Sequence, residues 1–484
     1  MLLMGFMTAH ACPAYADAGG DMMSMLESLK RQMSQMQATI DQQNSKISML
    51  ESRIASDKYV APAAVPAPAQ QAQMTEADWQ KGIKENIGDA VPFLKGAKYG
   101  GDLRLRMENF NYYDKNNDAG STGTAADRQR NRFRIRLRWG FEKDYGDDWK
   151  AGFRLATGTT TDQTSTNVSL GNPGAYFNFK TINVERAYAL YSPSALKNIG
   201  PIQSVTLGGG KVENPFLRYS TPIVWDADVT PEGLYEKMNL GLVNTDDNKL
   251  NAVLTAGQFI LNENQGLESD AQLFAYQGAL NFTTYAFNTD LPIDLSTAVS
   301  FYDYPNWFQT VLAANNASGT SYLRNNTSAM DDPRVIDVYS EIVLHVNGMP
   351  VTGWADWVRN VGEIDATRAA LSDAHGEDTA WGLGVKLGKA KKKGDWEGFY
   401  GYYSIPANAV VSAFSDSDFG GPDQAGYSNR KGHKLGLSYY LTDAVQVNWT
   451  GYVVEPFNVV STAIAASSRS ESVFRSQLDL VYKF

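Results

Sequence analysis

The most regular pattern in the chain is an alternation of charged and apolar residues between positions 132 and 141. In this segment Arg132, Arg134, Arg136 and Arg138 alternate with Phe133, Ile135, Leu137, Trp139 and Phe141. Because successive side chains of a strand point to opposite faces, the alternation predicts a β-strand with one face of guanidinium groups and one apolar face. The arginines then either face solvent in a β-sandwich, or line a water-filled lumen while the apolar face contacts lipid.

Together with this strand, related patterns of polar and apolar residues predict sixteen strands. The predicted strands are 100–112, 130–142, 148–157, 179–191, 203–211, 232–241, 249–261, 270–282, 292–304, 334–346, 349–360, 377–389, 395–405, 431–441, 445–457 and 472–484. Connections after even-numbered strands are mostly short, as at 347–348, whereas those after odd-numbered strands are long, as at 406–430. Outer-membrane barrels have short periplasmic turns and longer extracellular loops. We therefore predict an all-β fold, a 16-stranded antiparallel transmembrane β-barrel over residues 99–484.

The N-terminal part of the chain has a different period, because apolar residues recur there every 3.5 residues. Residues 21–57 contain five heptads, with a positions Leu26, Met33, Ile40, Ile47 and Ile54 and d positions Met22, Leu29, Met36, Gln43 and Leu50. This spacing predicts a coiled coil, and isoleucine at the a positions favours three strands over two. A single amphipathic helix on another surface is the alternative. An Ala/Pro-rich linker at 58–74 follows, and 75–98 are predicted as a short helix and lead-in to the barrel.

Residues 1–16 are predicted to be a signal peptide, because they are largely apolar or small and end in Ala14-Tyr15-Ala16. Cleavage would remove Cys12, the only cysteine of the chain. A lipid anchor on Cys12 is an alternative, although the preceding Ala9-His10-Ala11 lacks the usual leucine. Without a thiol, and with the histidines scattered, the sequence predicts no enzyme activity, no metal site and no cofactor.

Composition agrees with a strand-rich exported protein. The chain has 484 residues, of which 20% are charged and 12% aromatic, and it contains 42 glycines. Beyond the signal peptide no apolar run is long enough to cross a bilayer as a helix, which excludes a polytopic helical membrane protein. The net charge of −10 argues against nucleic acid as a partner.

Several segments of the barrel region are similar to a known family. They are Gly101–Arg106, Arg128–Arg138, Asp147–Gly158, Gly210–Phe216 and Val224–Gly233. These segments resemble the "putative porin" family of Gram-negative outer-membrane barrels, and the resemblance covers roughly residues 99–484. It implies a pore-forming barrel without defining a substrate. The C-terminal Tyr482 and Phe484 also resemble the aromatic signal that the outer-membrane assembly machinery recognises.

The candidate site residues are the charged side chains expected inside the barrel. Arg104, Arg106, Glu108, Arg132, Arg134, Arg136, Arg138, Lys150 and Arg154 are predicted to point inward from the first three strands. Since neighbouring strands lie about 4.8 Å apart, the cations among them form a basic ladder that would repel itself unless anions or carboxylates intervene. The ladder favours anionic solutes.

The connection after the fifth predicted strand, residues 212–231, is the candidate constriction and carries Glu213, Asp226 and Asp228. An ordinary external loop is the alternative. Acidic residues in the long loops, among them Asp416 and Asp418, predict a mouth that attracts cations. The sequence therefore leaves the ion preference open.

Together these features predict a trimeric outer-membrane porin for passive diffusion of small hydrophilic solutes or ions, with its coiled coil in the periplasm. The expected partners are outer-membrane lipid, two further copies of the chain and the assembly machinery. The alternative is a structural tether that uses the coiled coil and transports little or nothing.

Overall fold

The computed structural model describes residues 96–114, 128–171, 176–216, 221, 223–263, 269–285, 291–307, 332–363, 377–420, 428–457 and 471–484, together with Asp41, Ser45 and Ser48. The predicted signal peptide, the linker and all ten core positions of the coiled coil lie outside these residues. Asp41, Ser45 and Ser48 are helical and exposed. They occupy none of the a or d positions, so the coiled coil stays a prediction.

The described part of the barrel region forms one antiparallel sheet of seventeen strands. One of them, Val168–Ser169, has two residues and pairs with Arg134 and Ile135 inside the second strand. The other sixteen are β1 (Lys98–Asp114), β2 (Arg128–Gly146), β3 (Trp149–Thr157), β4 (Ile182–Tyr191), β5 (Ile202–Lys211), β6 (Glu232–Asn244), β7 (Asn248–Asn262), β8 (Ala271–Thr284), β9 (Ile293–Asp303), β10 (Arg334–Val346), β11 (Met349–Asn360), β12 (Thr379–Gly388), β13 (Trp396–Ile405), β14 (Arg430–Tyr440), β15 (Val445–Pro456) and β16 (Glu471–Lys483).

These sixteen strands form a closed barrel. Each pairs with its neighbours in chain order, and β16 pairs back onto β1 from Asp102 opposite Lys483 to Asp114 opposite Glu471. The C-terminal Phe484 extends this seam, since its carbonyl oxygen accepts a hydrogen bond of 2.9 Å from the Gly101 amide. The predicted 16-stranded antiparallel barrel is confirmed, and every predicted strand overlaps an observed one.

The two ends of the barrel differ in the length of their connections, as the sequence predicts. The connection between β10 and β11 is the two-residue turn Asn347-Gly348. Both residues have positive φ, 52° and 78°, which a type I′ turn requires and glycine adopts without strain. The long loops at the other end include L2 (158–181), L3 (212–231) and L7 (406–429), which follow β3, β5 and β13.

The outer face of the barrel is apolar and the inner face is charged or polar along β1 and β2. Leu105 and Met107 are each 46% exposed on the outside, whereas the intervening Arg106 is 6% exposed. Exposed apolar side chains on a closed barrel are suited to contact with lipid. Among the described residues, no helix is both long and apolar enough to cross a membrane.

The interior of the barrel contains a hydrophobic core, to which L3 and L7 contribute. Phe216, Ile223 and Trp225 of L3 and Val410 and Phe419 of L7 are buried in one cluster with inward side chains of the strands. The two loops also bond directly, because the Asp226 amide donates a 2.6 Å hydrogen bond to the Phe414 carbonyl oxygen. The described segments of both loops therefore fold into the lumen.

Candidate functional site

The arginine wall is the charged side of the lumen, formed by β16, β1, β2 and β3. Its members are Arg104, Arg106, Arg132, Arg134, Arg136, Arg138, Arg154 and Arg475. The antiparallel register places Arg104 opposite Arg136, and Arg106 opposite Arg134. Like charges at this spacing repel strongly in a partly dehydrated lumen, so the arrangement requires counter-charges.

Glu108 is the counter-charge at the centre of the arginine wall. It is fully buried and accepts hydrogen bonds from Arg132 and, at 2.8 Å, from Arg475. Arg106 and Arg134 lie 3.5 and 3.8 Å from the same carboxylate. One glutamate therefore holds four guanidinium groups together.

Three further carboxylates of the strands complete the pairing. Asp479 on β16 binds Arg106 through both oxygens, at 2.7 and 2.8 Å. Asp102 pairs with Arg136 at 2.6 Å, and Glu185 on β4 pairs with Arg154 and, at 3.0 Å, with Arg138. The basic ladder of the sequence analysis is thus interleaved with acids. Lys150 stands apart from the wall, since it is 40% exposed and lies 3.5 Å from Glu142.

L3 adds two of its three acids to the lumen. Asp228 binds Arg138 at 2.5 Å and accepts hydrogen bonds from the amide and hydroxyl of Thr166 in L2, both at 3.0 Å. Burial by itself favours the neutral acid, but Arg138, Arg104 and Arg136 together outweigh it and lower the pKa of Asp228. Glu213 pairs with Arg186 at 2.7 Å, and its side chain is 62% exposed. The three predicted loop acids therefore occupy different environments.

Asp226 belongs to the contact between L3 and L7. Its carboxylate accepts hydrogen bonds from the Asp228 amide at 2.7 Å and the Ser417 amide at 3.1 Å. Burial and the neighbouring carboxylate of Asp416 raise the pKa of Asp226 above its usual range. Protonation of this group therefore relieves repulsion where the two loops meet.

L7 supplies two carboxylates that the sequence analysis places at the mouth. Asp418 instead lies on the arginine wall, 2.6 Å from Arg475 and 2.9 Å from Arg106. Asp416 pairs with Lys434 of β14 at 3.1 Å. Arg475 and Arg106 hold the pKa of Asp418 well below its usual range, although burial acts in the opposite direction. The expected location of these two acids is wrong because L7 turns inward, where Arg106 and Arg475 bind Asp418 and Lys434 binds Asp416.

A cavity of about 760 Å³ lies between L2, L3 and L7. Thr166 of L2, Trp225 of L3 and Phe414 of L7 contribute to its lining. Its volume is in the range of small-molecule sites. Among the described residues, no group of three or more His, Cys, Asp or Glu side chains could hold a metal ion.

A comparison with protein families identifies the family of this chain. The profile of the family described as "Putative porin" matches residues 79–336 and 334–455. The chain belongs to this family. Family membership and the closed barrel support a porin-type channel and a location in an outer membrane. The comparison with curated proteins gives no match.

Several solved porin structures are similar to this chain. OprB of Pseudomonas putida at high pH matches with 10% identity and a TM-score of 0.46, covering 82% of this chain and 97% of that one. OmpF of Salmonella typhi in complex with daunomycin matches with 11% identity and a TM-score of 0.39, covering 80% and 98%. A triple mutant of the Rhodopseudomonas blastica porin matches with 12% identity and a TM-score of 0.35, covering 80% and 100%.

The other side of the lumen is apolar. This apolar wall is a row of inward side chains on seven consecutive strands, β7 to β13. Its members are Phe259, Leu273, Tyr302, Val335, Val358, Ala380 and Tyr403. Phe216 of L3 packs edge-on against Phe259 and Tyr302, with ring centroids 6.2 and 5.7 Å apart. Phe419 of L7 packs edge-on against Tyr403 at 5.4 Å. Both loops therefore bridge the apolar wall and the arginine wall.

Sequence reasoning missed Arg475 as a wall residue, although a signal for it exists. In β16 the outward Phe474, Ser476 and Leu478 alternate with Arg475, Gln477 and Asp479. Closing the barrel places this strand beside β1, which brings Arg475 to Glu108. The inward positions of L2 and L7 have no comparable signal, because loops lack a side-chain period.

Proposed function

We propose that the protein is an outer-membrane porin through which small hydrophilic solutes or ions cross by passive diffusion. The observation that carries this proposal is the contrast between the two faces of the closed barrel: β1 and β2 present apolar side chains outward and ionised ones inward. A wall of this kind stabilises water and polar solutes inside a membrane.

Within this channel the arginine wall and Lys150 line the path of the solute, and L3 forms the constriction. The burial of Asp226 and the contact between Asp228 and Arg138 support an inward position for L3. The carboxylates of L3 and the guanidinium groups of the arginine wall, which meet where Asp228 contacts Arg138, create an electric field in the lumen. This field orients dipolar solutes as they pass.

We further propose that the protein assembles as a trimer through its N-terminal coiled coil, which lies in the periplasm. The heptad pattern of residues 21–57 supports this assembly. Lipid contacts the apolar outer face, and Tyr482 and Phe484 act as the signal for the assembly machinery. Deleting residues 22–56 should reduce the mass measured by light scattering from that of a trimer. An unchanged monomer before and after deletion would refute the trimer.

Single-channel recording of the purified full chain in planar bilayers tests the channel itself. We expect stepwise conductance in potassium chloride, and the reversal potential in a salt gradient gives the ion preference. A protein that inserts but stays silent where a reference porin conducts would contradict the proposal. That result would favour the alternative of a structural tether.

A further inference from the structure

The arginine wall contains an anion site that the chain fills with its own carboxylate. Asp418 Oδ1 accepts a hydrogen bond of 2.6 Å from Arg475, and its Oδ2 accepts one of 2.9 Å from Arg106. Arg475 also donates a 2.8 Å hydrogen bond to the Asp418 carbonyl oxygen. Arg475 is 1% exposed, so this contact is part of the interior of the barrel.

Without L7 the arginine wall would carry an excess of positive charge at this position. Four guanidinium groups, those of Arg106, Arg132, Arg134 and Arg475, converge on two strand carboxylates, Glu108 and Asp479. Asp418 is the third carboxylate, and it comes from a loop and not from the wall. The strands therefore form a site for an anion that they do not themselves provide.

Several donors of the arginine wall are also left without an acceptor. Within the part of the chain that the structure describes, the buried Nε–H groups of Arg104, Arg134 and Arg475 have no protein hydrogen-bond partner. Unpaired buried donors of charged groups are costly, and a solute oxygen or water would relieve them. Arg104 and Arg475 lie on β1 and β16, the strands that contact Asp418, and Arg134 lies on the neighbouring β2.

We infer that Arg106 and Arg475 form a binding site for a carboxylate of the transported solute, and that Asp418 occupies this site in the absence of solute. The inference rests on the proposed channel function and specifies its substrate class, small organic acids. Two guanidinium groups that each bind one oxygen suit a planar two-oxygen acceptor. A tethered carboxylate that competes with the solute keeps binding weak enough for release, which conduction requires.

The test measures succinate binding to the full-length protein in detergent by isothermal titration calorimetry. Asp418→Asn removes the internal competitor, so succinate should bind about tenfold more tightly than to the wild type, whereas neutral succinamide should not bind. Adding Arg475→Gln to Asp418→Asn should abolish the gain. Asp246→Asn, an exposed acid on a short turn, removes the same charge elsewhere and should behave as the wild type. Equal succinate affinity of wild type and Asp418→Asn would overturn the inference, as would a gain that persists without Arg475.

A second measurement uses the wild type and does not depend on the folding of a variant. Succinate that displaces Asp418 should accelerate amide hydrogen exchange in residues 414–420, and succinamide should not. Unchanged exchange at saturating succinate would contradict the inference.

The two proposals can fail separately. If the wild type conducts but Asp418→Asn gains no affinity, the carboxylate site is wrong and the channel stands. If the wild type is silent in bilayers but the Arg475-dependent gain appears, the site stands and the channel proposal is wrong.

Discussion

The arginine wall and the apolar wall hold the same two loops by different forces. L7 contacts the arginine wall through Asp418, whose carboxylate is paired with Arg475. It contacts the apolar wall through Phe419, which is fully buried against Tyr403. A dissolved ion can replace one partner of an ion pair. Exposing a buried ring to water, in contrast, has a large free-energy cost. The comparison indicates that the apolar wall holds the loops by buried area and the arginine wall holds them by charge, and the proposed carboxylate site belongs to the second contact.

The largest effect is expected from Phe216→Ala, which removes the ring by which L3 contacts the apolar wall. Phe216 is 3% exposed, and loss of a buried phenylalanine costs roughly 3–5 kcal/mol of unfolding free energy. We expect this loss in guanidinium unfolding and a higher single-channel conductance, because L3 is released. Phe133→Ala, on the outer face and 56% exposed, is the control and should leave conductance unchanged. Equal effects of the two variants would show that the apolar wall does not anchor L3.

Glu108→Gln tests the arginine wall in the same way. Removing one partner of a buried ion pair costs about 3–5 kcal/mol. Here the loss falls toward the lower end, about 3 kcal/mol, because Asp479 and Asp418 still neutralise Arg106 and Arg475. We expect this destabilisation in guanidinium unfolding. We also expect the reversal potential in a salt gradient to shift in the direction of greater anion selectivity. A stable variant with unchanged ion preference would contradict the central position assigned to Glu108.

Asp226→Asn should change the pH dependence of stability at the contact between the loops. Because the pKa of Asp226 is raised above its unfolded value of about 3.9, its contribution is greatest below that pH and is lost as the pH rises through the folded-state pKa. The unfolding midpoint of the variant should therefore vary less between pH 4 and 7 than that of the wild type. Asp228, with a lowered pKa, contributes its stability above pH 4 and loses it only in stronger acid. Parallel pH profiles of wild type and variant would rule out the raised pKa.

The smallest effect is expected from Glu213→Gln. Its pair with Arg186 has the same chemistry as the pair of Glu108 with Arg475, but the Glu213 side chain is 62% exposed whereas Glu108 is buried. Exposed pairs contribute about 0.2–1 kcal/mol, so guanidinium unfolding should change by less than about 1 kcal/mol. A loss as large as that of Glu108→Gln would show that burial does not set the strength of these pairs.

The prediction of the fold from sequence succeeds because strands carry a local signal. The alternation in Arg132–Phe141 defines which side chains share a face, and Asn347-Gly348 defines a tight turn, without reference to the rest of the chain. The inward direction of Arg104, Arg106 and the β2 arginines follows from this period. Their pairing partners do not follow from it.

The strands, their order around the barrel and the apolar outer face follow from the sequence, because period and connection length are properties of neighbouring residues. Tertiary structure alone decided which carboxylates neutralise the arginines. Glu108 and Arg475 are hydrogen-bonded although they lie 367 residues apart in the sequence, and Arg106 and Asp418 are hydrogen-bonded although they lie 312 residues apart. The first contact needs the closure of the barrel, and the second needs L7 to fold into it. Loops have no side-chain period, so their path depends on the charges and cavities that the folded wall offers them.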